Sequence, residues 1–324
     1  MIVVDNVSKY YGSRRAVADL TFEIRAGECI GFLGLNGAGK STTLRLLSCL
    51  LLPTSGRISV RGFDVVTHPH EIRKLIGYLP DTPPLYLEMT VREYLDFAGR
   101  LRGLDGAALN KMRDRAVRLC SLKEVLQQPI SQLSHGYRQR VGIAQAIIHG
   151  PSLLILDEPI QGLDPVQIVE MRNMIGELRG EHTILLSTHI LSEIEATCDR
   201  ILVMHQGRIA AQGTEEELAA KLLKTRSLEL EVRGSAELLT AALAPIPAVR
   251  KLHVTPHSET VVRAFIEVDD AAREQVSRAI FEAGLGLLSM QGQSTGLEAV
   301  FLQLSNTGSA QADSVRPAQA GISA

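Results

Sequence analysis

Continuous apolar runs alternate with helix-like segments over residues 1–225. Three of these runs are ECIGFLG at 28–34, LLILD at 153–157 and TILLST at 183–188. Because the runs are continuous rather than alternating, they predict strands of a sheet that is covered on both faces. The segment after the first run predicts a helix that begins near Gly39 and buries its leucines. The pattern therefore predicts an α/β core.

The pattern becomes helical between about residues 90 and 148. Thr90, followed three residues later by Glu93, is a capping box and predicts a helix start. Farther along, Asp164 as N-cap and Pro165 as first helical residue predict a helix between two core strands. We interpret 90–148 as a helical insertion in the α/β domain.

Residues 226–305 predict a separate small domain. Its strand-like segments SLELEV and VVRAFIEV alternate in polarity, and helical stretches begin near Ala236 and Ala271. The order strand, helix, strand, strand, helix, strand predicts a ferredoxin-like α+β fold. LEAVFLQL at 297–304 predicts a short final helix, and the polar, small-residue segment 306–324 predicts a disordered tail.

Composition and charge exclude several classes of protein. The 34 basic and 36 acidic residues give a net charge of −2, which offers no electrostatic case for nucleic acid as the main partner. The longest apolar stretch, at 44–53, is shorter than the roughly 20 residues that cross a bilayer. We expect no signal peptide. The four scattered cysteines lack metal-ligand spacing, which predicts reduced thiols and a cytoplasmic location.

The clearest chemical motif is GLNGAGKS at 34–41, which fits GxxxxGK[ST] between a predicted strand and a predicted helix. Glycines let the loop curl so that amide groups point at phosphate oxygens, and the helix start adds partial positive charge. Lys40 is expected to reach the β- and γ-phosphates of ATP, and the Ser41 hydroxyl to bind Mg²⁺. The predicted ATP-binding residues of this loop are Gly34, Leu35, Asn36, Gly37, Ala38, Gly39, Lys40, Ser41 and Thr42.

Two carboxylates, Asp157 and Glu158, follow the second buried run directly. The end of a strand beside the phosphate-loop strand would place both near the γ-phosphate. Asp157 is the expected Mg²⁺ ligand, directly or through water. Glu158 is the expected general base that activates the attacking water. With Lys40, these residues predict ATP hydrolysis.

The run LSHGYRQR at 133–140 resembles the signature motif LSGGQ of ATP-binding cassette (ABC) proteins. Ser134 and Gly136 keep the pattern, and a helix is predicted to begin near Gly136. His135 replaces a glycine, and Tyr137 replaces the glutamine. In that family the motif completes an ATP site on a second subunit. The resemblance therefore implies a homodimer or heterodimer of cassettes, in which Ser134 and Gly136 contact the partner's ATP.

The resemblance covers roughly residues 2–215 and implies roles for further residues. Asp164 lies in GLDP, which is similar to the D-loop that contacts the other subunit. His189 lies in STH, which is similar to the switch segment whose histidine bonds the γ-phosphate, so it joins Glu158 and Lys40 as an expected catalytic residue. Tyr11 is similar to the aromatic residue that stacks on adenine, with Tyr10 as the alternative.

The sequence departs from the ABC pattern at Asp81, where the Q-loop usually has glutamine. Asp81 can still ligate Mg²⁺ or a bridging water, so we expect it among the ATP and metal contacts. The next segment, 83–95, is similar to a region that helps receive a helix of the membrane subunit in ABC transporters. Its Tyr86, Leu87 and Met89 are either contacts for such a helix or core residues of the insertion.

The resemblance is strongest to type-2 ABC exporters, including the group described for gliding motility. It implies a P-loop ATPase fold with a RecA-like core, an antiparallel β subdomain and the helical insertion. It also implies an ATPase that uses ATP and Mg²⁺, powers separate membrane subunits and lies peripherally on the inner face of the membrane through them. The alternatives are a soluble ABC ATPase acting on nucleic acid or ribosomes, disfavoured by the single cassette, and a regulatory cassette, disfavoured by the complete set of catalytic residues.

Overall fold

The computed structural model describes residues 1–222, 226–256, 260–268 and 272–292. The chain divides into two compact units after Thr214, earlier than the boundary predicted near residue 225. The difference is the helix Glu215–Leu222, which groups with the second unit. The final helix predicted at 297–304 and the tail predicted at 306–324 lie outside the described residues.

The strands of the first unit form two sheets. They are β1 (Ile2–Tyr11), β2 (Arg14–Ile24), β3 (Cys29–Leu33), β4 (Ser55–Val60), β5 (Phe63–Asp64), β6 (Ile76–Leu79), β7 (Leu153–Asp157), β8 (Thr183–Thr188), β9 (Arg200–His205) and β10 (Arg208–Gly213). One sheet has the order β2-β1-β4-β5 and is antiparallel. The other has the order β10-β9-β3-β8-β7-β6 and is parallel except for β10. The predicted α/β core with an antiparallel β subdomain is confirmed.

The predicted apolar runs are central strands of the parallel sheet. Every residue of β3, β7 and β8 is buried, which explains why these runs do not alternate. Phe22 of the antiparallel sheet meets Phe32 of β3 edge-on, with ring centroids 5.8 Å apart. Leu33 pairs with Thr188, and Asp157 pairs with Ser187. The expectation that the strand ending at Asp157 lies directly beside the phosphate-loop strand is wrong, because β8 lies between β3 and β7. The three strands are parallel, so their carboxyl ends still meet at one edge of the sheet.

The helices of the first unit are α1 (Lys40–Leu47), α2 (Pro69–Leu75), α3 (Val91–Leu101), α4 (Gly106–Leu119), α5 (His135–Ile147), α6 (Pro165–Leu178) and α7 (Leu191–Thr197). Four of them, α1, α3, α5 and α6, begin close to the predicted positions. α1 buries Leu44, Leu46 and Leu47 as expected. α6 begins at Pro165, with Asp164 as its cap. No helix in the described ranges has both the length and the apolar character needed to cross a membrane.

The predicted helical insertion contains α3, α4 and α5. Its first helix begins with the predicted capping box: Glu93 N–H donates to Thr90 Oγ1 at 3.2 Å, and Thr90 N–H donates to Glu93 Oε2 at 2.8 Å. These reciprocal bonds satisfy amide groups that the helix leaves unpaired. α5 begins at His135, one residue before the predicted position, with Ser134 as its cap.

The second unit contains a ferredoxin-like sheet. Its elements are α8 (Glu215–Leu222), β11 (Arg226–Arg233), α9 (Ala236–Leu243), β12 (Val249–Pro256), β13 (Val261–Val268), α10 (Arg273–Glu282) and β14 (Gly286–Gly292). The strand order β12-β13-β11-β14, with all neighbours antiparallel, is the split β-α-β arrangement that the element order predicts. Leu239 of α9 and Val276 of α10 belong to one buried cluster with β11 and β13.

Candidate functional site

A cavity of about 550 Å³ lies where the loop after β3 meets the turn after β7. We call it the nucleotide cavity. The predicted ATP-binding residues that line it are Tyr11, Leu35, Asn36, Gly37, Gly39, Lys40, Ser41, Thr42 and Asp81, and the predicted base Glu158 lines it as well. Gly34 and Ala38 belong to the same loop without lining the cavity. The structure therefore brings nearly the whole predicted phosphate loop to one opening.

Two glycines of the phosphate loop are required by close backbone contacts. A Cβ atom on Gly34 would lie 2.6 Å from the Met204 carbonyl oxygen. A Cβ atom on Gly39 would lie 2.9 Å from the Ala16 carbonyl oxygen, and Gly39 has a φ of 105°. Only glycine adopts that conformation without strain. A tight loop of this kind is the backbone form that binds anions through its amide groups.

Lys40 is a buried cation at the base of the nucleotide cavity, with 5% of its side chain exposed. Its Nζ donates to the Gly34 carbonyl oxygen at 2.7 Å and lies 3.1 Å from Glu158 Oε1. A buried ion pair offsets its desolvation cost only when its remaining protons are also bonded. A phosphate oxygen that enters the cavity would compete with Glu158 for this ammonium group.

Glu158 occupies a strained position in the turn after β7. Its φ is 49°, in a left-handed region that residues other than glycine rarely adopt. Its N–H donates to Ser187 Oγ at 3.0 Å, and its Oε2 lies 3.0 Å from His189 Nδ1. The end of β8 therefore holds both the backbone and the side chain of Glu158. Strain maintained in this way is concentrated at functional sites.

Asp157 is a buried carboxyl group beneath the phosphate loop. Its Oδ1 accepts hydrogen bonds from Ser41 Oγ at 3.0 Å and Ser187 Oγ at 2.7 Å. Burial, the largest influence, raises the pKa of Asp157. The bonds from Ser187 and Ser41 oppose that shift, whereas the negative charges of Glu158 and Asp81 add to it. A cation at this position would favour the ionised carboxylate.

The oxygen atoms around Asp157 fit a magnesium ion. Asp157 Oδ2 is buried and has no hydrogen-bond partner among the described residues, which is unusual for a buried carboxylate oxygen. The Ser41 hydroxyl donates a hydrogen bond to the other oxygen of the same carboxylate, Oδ1. Carboxylate and hydroxyl oxygens, completed by phosphate oxygens and water, are the ligands that Mg²⁺ takes in nucleotide sites. Within the described ranges, no cluster of three His, Cys, Asp or Glu residues forms a metal site independent of nucleotide.

Tyr11 and Tyr10, the two aromatic candidates at the end of β1, differ in position. Tyr11 lines the nucleotide cavity, whereas Tyr10 does not. Lys9 Nζ lies 5.5 Å from the centroid of the Tyr11 ring. An exposed aromatic ring at the rim of a cavity can stack on a planar base. The geometry favours Tyr11 for adenine, and that role remains a prediction.

The cavity has further lining residues that the sequence analysis missed. They are Arg14, Arg15, Ala16, Arg45 and Gln161. Sequence spacing could have indicated Arg14, because it closely follows Tyr11. It could also have indicated Arg45, because that residue lies four positions, about one helical turn, after Ser41. Gln161 carries no such signal, because the turn after β7 reaches the cavity only in the folded chain.

Ser134, Gly136 and Asp164, the predicted contacts to a partner's ATP, do not line the nucleotide cavity of their own chain. Ser134 Oγ accepts from the Tyr137 N–H at 3.3 Å and caps α5. Asp164 Oδ1 accepts from the Gln167 N–H at 2.9 Å and caps α6. A Cβ atom on Gly136 would lie 2.5 Å from Gln167 Oε1. The starts of α5 and α6 therefore pack closely together, away from the chain's own phosphate loop.

The residues that depart from the ABC pattern make specific contacts. His135 Nε2 lies 3.0 Å from the Gln161 carbonyl oxygen, and the Arg140 guanidinium lies 5.5 Å from the Tyr137 ring centroid. Asp81 lines the nucleotide cavity and also a neighbouring cavity of about 300 Å³. The second cavity is lined by Asp81, Thr82, Pro83, Leu85, Leu87, His135, Arg138 and Gln139.

A third cavity, of about 570 Å³, lies between the core and the helical insertion, and we call it the arginine groove. It is lined by Arg45, Ser48, Leu50, Arg73, Ile76, Tyr78, Pro80, Pro84, Leu101, Arg102 and Gln145. Arg73 Nη2 donates to the Cys49 carbonyl at 2.8 Å, and Arg102 Nη1 donates to the Arg73 carbonyl at 2.7 Å. Among the described residues, no carboxylate pairs with the three arginines, so their charges are not neutralised.

Tyr86, Leu87 and Met89 do not line the arginine groove, and Leu87 lines the 300 Å³ cavity. Tyr86 and Leu87 are about half exposed. The Tyr86 ring meets Phe97 edge-on, with centroids 5.5 Å apart. These residues are therefore partly packed on the insertion and partly open to a partner, and both interpretations remain predictions.

Comparisons with known proteins agree with this geometry. A family model described as "ABC transporter" matches residues 17–161. The chain is 36% identical over 306 residues to the uncharacterized ABC transporter ATP-binding protein YxlF of Bacillus subtilis, covering 94% of this chain and 99% of that protein. It is 32% identical over 306 residues to the bacitracin transport ATP-binding protein BcrA of Bacillus licheniformis, covering 94% of this chain and 97% of that protein.

Solved structures show the same fold. The first unit is similar to the structure of an ATP binding subunit of an ABC transporter, with a TM-score of 0.62 and 35% identity over 68% of this chain and 92% of that chain. The similarity to YxlF and BcrA extends beyond this unit, because it spans nearly the whole of both chains. With the complete phosphate loop and the paired carboxylates at its cavity, the chain belongs to the ATP-binding subunits of ABC transporters, a family of ATPases.

Proposed function

We propose that two copies of this chain, or this chain and a close relative, close over two Mg²⁺–ATP molecules and hydrolyse them to power a separate membrane subunit of an exporter. The observation that carries this proposal is the linked set Lys40, Glu158 and His189. Glu158 contacts Lys40 through Oε1 at 3.1 Å and His189 through Oε2 at 3.0 Å. A phosphate-binding cation and a base therefore lie together at the nucleotide cavity, and the His189 ring contacts the base from outside the cavity lining.

Lys40 would change partner when ATP binds. In the structure it pairs with Glu158. Phosphate oxygens, held by the loop amides, would offer several further charge-assisted contacts to the same ammonium group. Transfer of Lys40 to the phosphates would release Glu158 for water. Tyr11 would hold the adenine at the far rim of the cavity.

Glu158 would act as the general base for hydrolysis. It would take a proton from a water molecule while the water oxygen bonds to the γ-phosphorus and the bond to the β–γ bridging oxygen breaks, which gives ADP and phosphate. His189, on the other carboxylate oxygen, would orient Glu158 and bond the γ-phosphate. Ser41 and Asp157 would hold the Mg²⁺ ion, with Asp81 as a further ligand, and the ion supplies charge neutralisation to the phosphates.

The cassettes would pair head to tail. Ser134, Gly136 and Asp164 do not line the nucleotide cavity of their own chain, which supports a role for them at the nucleotide of another chain. A face made of two helix starts, α5 and α6, carries partial positive charge that suits a triphosphate. Each ATP would then be held between the phosphate loop of one chain and the signature motif of the other.

The membrane subunit would dock a cytoplasmic helix in the arginine groove. The groove combines apolar side chains with Arg45, Arg73 and Arg102, so charge complementarity favours a helix with an acidic residue. Relatives with this chain length include proteins named for bacitracin transport and linearmycin resistance, which supports export by a similar assembly. The chain would then lie peripherally on the inner face of the membrane.

Hydrolysis is tested with Glu158→Gln. This variant keeps the size and a hydrogen-bonding side chain but loses the base, so kcat for ATP hydrolysis should fall by roughly 10²- to 10⁴-fold. ATP binding should remain, and the variant should accumulate as an ATP-bound dimer in size-exclusion chromatography. Glu71→Gln, at an exposed position of α2, is the control. Turnover at the wild-type rate in Glu158→Gln would remove Glu158 from this role.

Docking is tested by co-expression with the membrane protein encoded beside this chain. Arg102→Glu reverses a charge in the arginine groove, and we expect it to reduce recovery of the chain with that membrane protein by an order of magnitude, about 1.4 kcal/mol of binding free energy. Arg118→Glu reverses an exposed charge outside the groove and is the matched control. Equal recovery of both variants would contradict the groove as the docking site.

A further inference from the structure

His135 connects the signature motif to the turn that carries the catalytic base of the same chain. It stands at the first position of α5, where the ABC pattern has glycine. Its Nε2 lies 3.0 Å from the carbonyl oxygen of Gln161. Because a carbonyl oxygen only accepts, Nε2 carries the proton and donates it. Gln161 lines the nucleotide cavity, so this bond reaches the border of the chain's own ATP site.

The turn that His135 contacts has a demanding backbone conformation. Glu158 has a φ of 49°, and Gly162 has a φ of 74°. The Gln161 N–H bonds the Glu158 carbonyl at 3.2 Å, and the Leu163 N–H bonds the Ile160 carbonyl at 3.3 Å. Gly162 adopts its left-handed conformation without strain, whereas the left-handed conformation of Glu158 is costly unless its surroundings hold it. The hydrogen bond from His135, which lies outside the turn, to the Gln161 carbonyl therefore stabilises the orientation of Glu158.

The surroundings of His135 support a specific contact. A Cβ atom on Gly162 would lie 3.4 Å from His135 Nε2, so the imidazole packs directly on the turn. On its other side, His135 lines the 300 Å³ cavity together with Asp81, whose carbonyl accepts from Gln139 Nε2 at 3.4 Å. The start of α5 thus contacts both loops that border the nucleotide cavity.

We propose that His135 is a positioning residue for the nucleotide site of its own chain. By donating to the Gln161 carbonyl it fixes the turn after β7 and thereby the carboxylate of Glu158. This role differs from that of Ser134 and Gly136, which face a partner's nucleotide. The inference rests on the proposed function for the assignment of Glu158 as the base, whereas the bond itself is independent of that assignment.

The positioning role is tested first without nucleotide, by amide hydrogen exchange of the full chain. In His135→Ala, the peptide that covers residues 158–164 should exchange roughly fivefold faster than in the wild type, because one stabilising hydrogen bond is lost. In His135→Gln, whose Nε2 can reach the same carbonyl, exchange should return to the wild-type rate. His70→Ala, at an exposed position of α2, is the control. Unchanged exchange in His135→Ala would overturn the proposal.

Kinetics provide the second test. We expect His135→Ala to lower kcat on the order of tenfold with the KM for ATP unchanged, since the base is misplaced while the phosphate loop is intact. His135→Gln should recover most of kcat. A loss of kcat in both variants with normal exchange would assign His135 to the partner's nucleotide instead and overturn the proposal. If the wild-type chain hydrolyses no ATP, the proposed function fails while the exchange result still decides the role of the bond.

Discussion

At the scale of single residues, Lys40 and Glu158 form an ion pair that ATP would rearrange under the proposed function. Lys40 and Glu158 are both nearly buried and neutralise each other across 3.1 Å. Removing one partner of such a pair leaves an uncompensated buried charge, which costs more than the pair contributes. Under the proposed function, the triphosphate would give Lys40 a new anionic partner. Glu158 would then keep its contact with His189.

His149 makes the stability of the first unit depend on pH. Burial and the positive charge of Arg102 lower the pKa of His149 from 6.5 to about 4. The unfolded chain therefore takes up a proton near pH 6.5, whereas the folded chain does not until near pH 4. The contribution of neutral His149 is fully present at neutral pH and is lost as pH falls from about 6.5 to about 4.

We predict that the free energy of unfolding falls by about 2 kcal/mol between pH 7 and pH 5 because of His149 alone. Urea denaturation at the two pH values measures this change. His149→Gln keeps a donor for the Ile76 carbonyl, which His149 Nε2 contacts at 3.2 Å, and should remove this part of the pH dependence. His70→Gln, at an exposed position, is the control. An identical slope in His149→Gln and wild type would contradict the assignment.

At the scale of elements, features that depend on local sequence could be predicted. The three buried runs are β3, β7 and β8, and the caps Thr90 and Asp164 start α3 and α6. These features follow from periodicity and hydrogen bonds within a few residues. The division after Thr214 could not be predicted, because the packing of α8 with the second unit has no local signal.

The same limit applies to the candidate site. The phosphate loop and Asp157–Glu158 carry their chemistry in contiguous residues, so the sequence indicated them. His135 and Gln161 are 26 residues apart in the sequence. Neither their contact nor the place of Gln161 in the nucleotide cavity therefore has a local signal. The arginine groove combines side chains from α1, α2 and α3. Such long-range arrangements depend on how helices pack against the sheet, which residue spacing does not specify.

Substitution of glycine by alanine should have opposite effects on the free energy of unfolding at two positions, one where α5 contacts β6 and one on the open face of α6. A Cβ atom on Gly77 of β6 would lie 2.1 Å from the Ala146 carbonyl oxygen of α5, whereas a Cβ atom on the exposed Gly176 of α6 would meet nothing within 4 Å. Gly77→Ala should lower the free energy of unfolding by about 3 kcal/mol, because backbone must move. Gly176→Ala should raise it by about 0.5–1 kcal/mol through helix propensity.

Urea denaturation of the two variants against the wild type checks both signs. The pair is informative because each variant adds one methyl group and removes one flexible residue from the unfolded chain. A neutral Gly77→Ala would show that α5 does not lie this close to β6. A destabilising Gly176→Ala would instead show that this face of α6 is covered in solution.

At the scale of the whole molecule, the first unit has two separate faces that bear on the proposed dimer. One is the nucleotide cavity with Lys40 and Glu158, and the other is the pair of helix starts capped by Ser134 and Asp164. Neither capping residue lines the nucleotide cavity. In the proposed head-to-tail pair each ATP would lie between one face of each kind, and the pair would close with two-fold symmetry when the chains are identical.

Mixing two damaged chains tests this arrangement. Lys40→Ala disables the chain's own cavity, and Ser134→Asp places a negative charge against a partner's triphosphate while keeping a good cap for α5. Each variant alone should be inactive. A 1:1 mixture should recover about a quarter of the wild-type ATPase rate, because half of the dimers are mixed and each of these has one intact site.

In the control mixture, the Ser134→Asp chain also carries Lys40→Ala. No dimer then has an intact nucleotide cavity, so the control mixture should remain inactive. If cavity and signature motif served the same ATP within one chain, the original mixture would remain as inactive as its components. Recovery above the control therefore requires that Ser134 acts on the nucleotide of another chain. The observed separation of Ser134 from its own nucleotide cavity leads to that expectation.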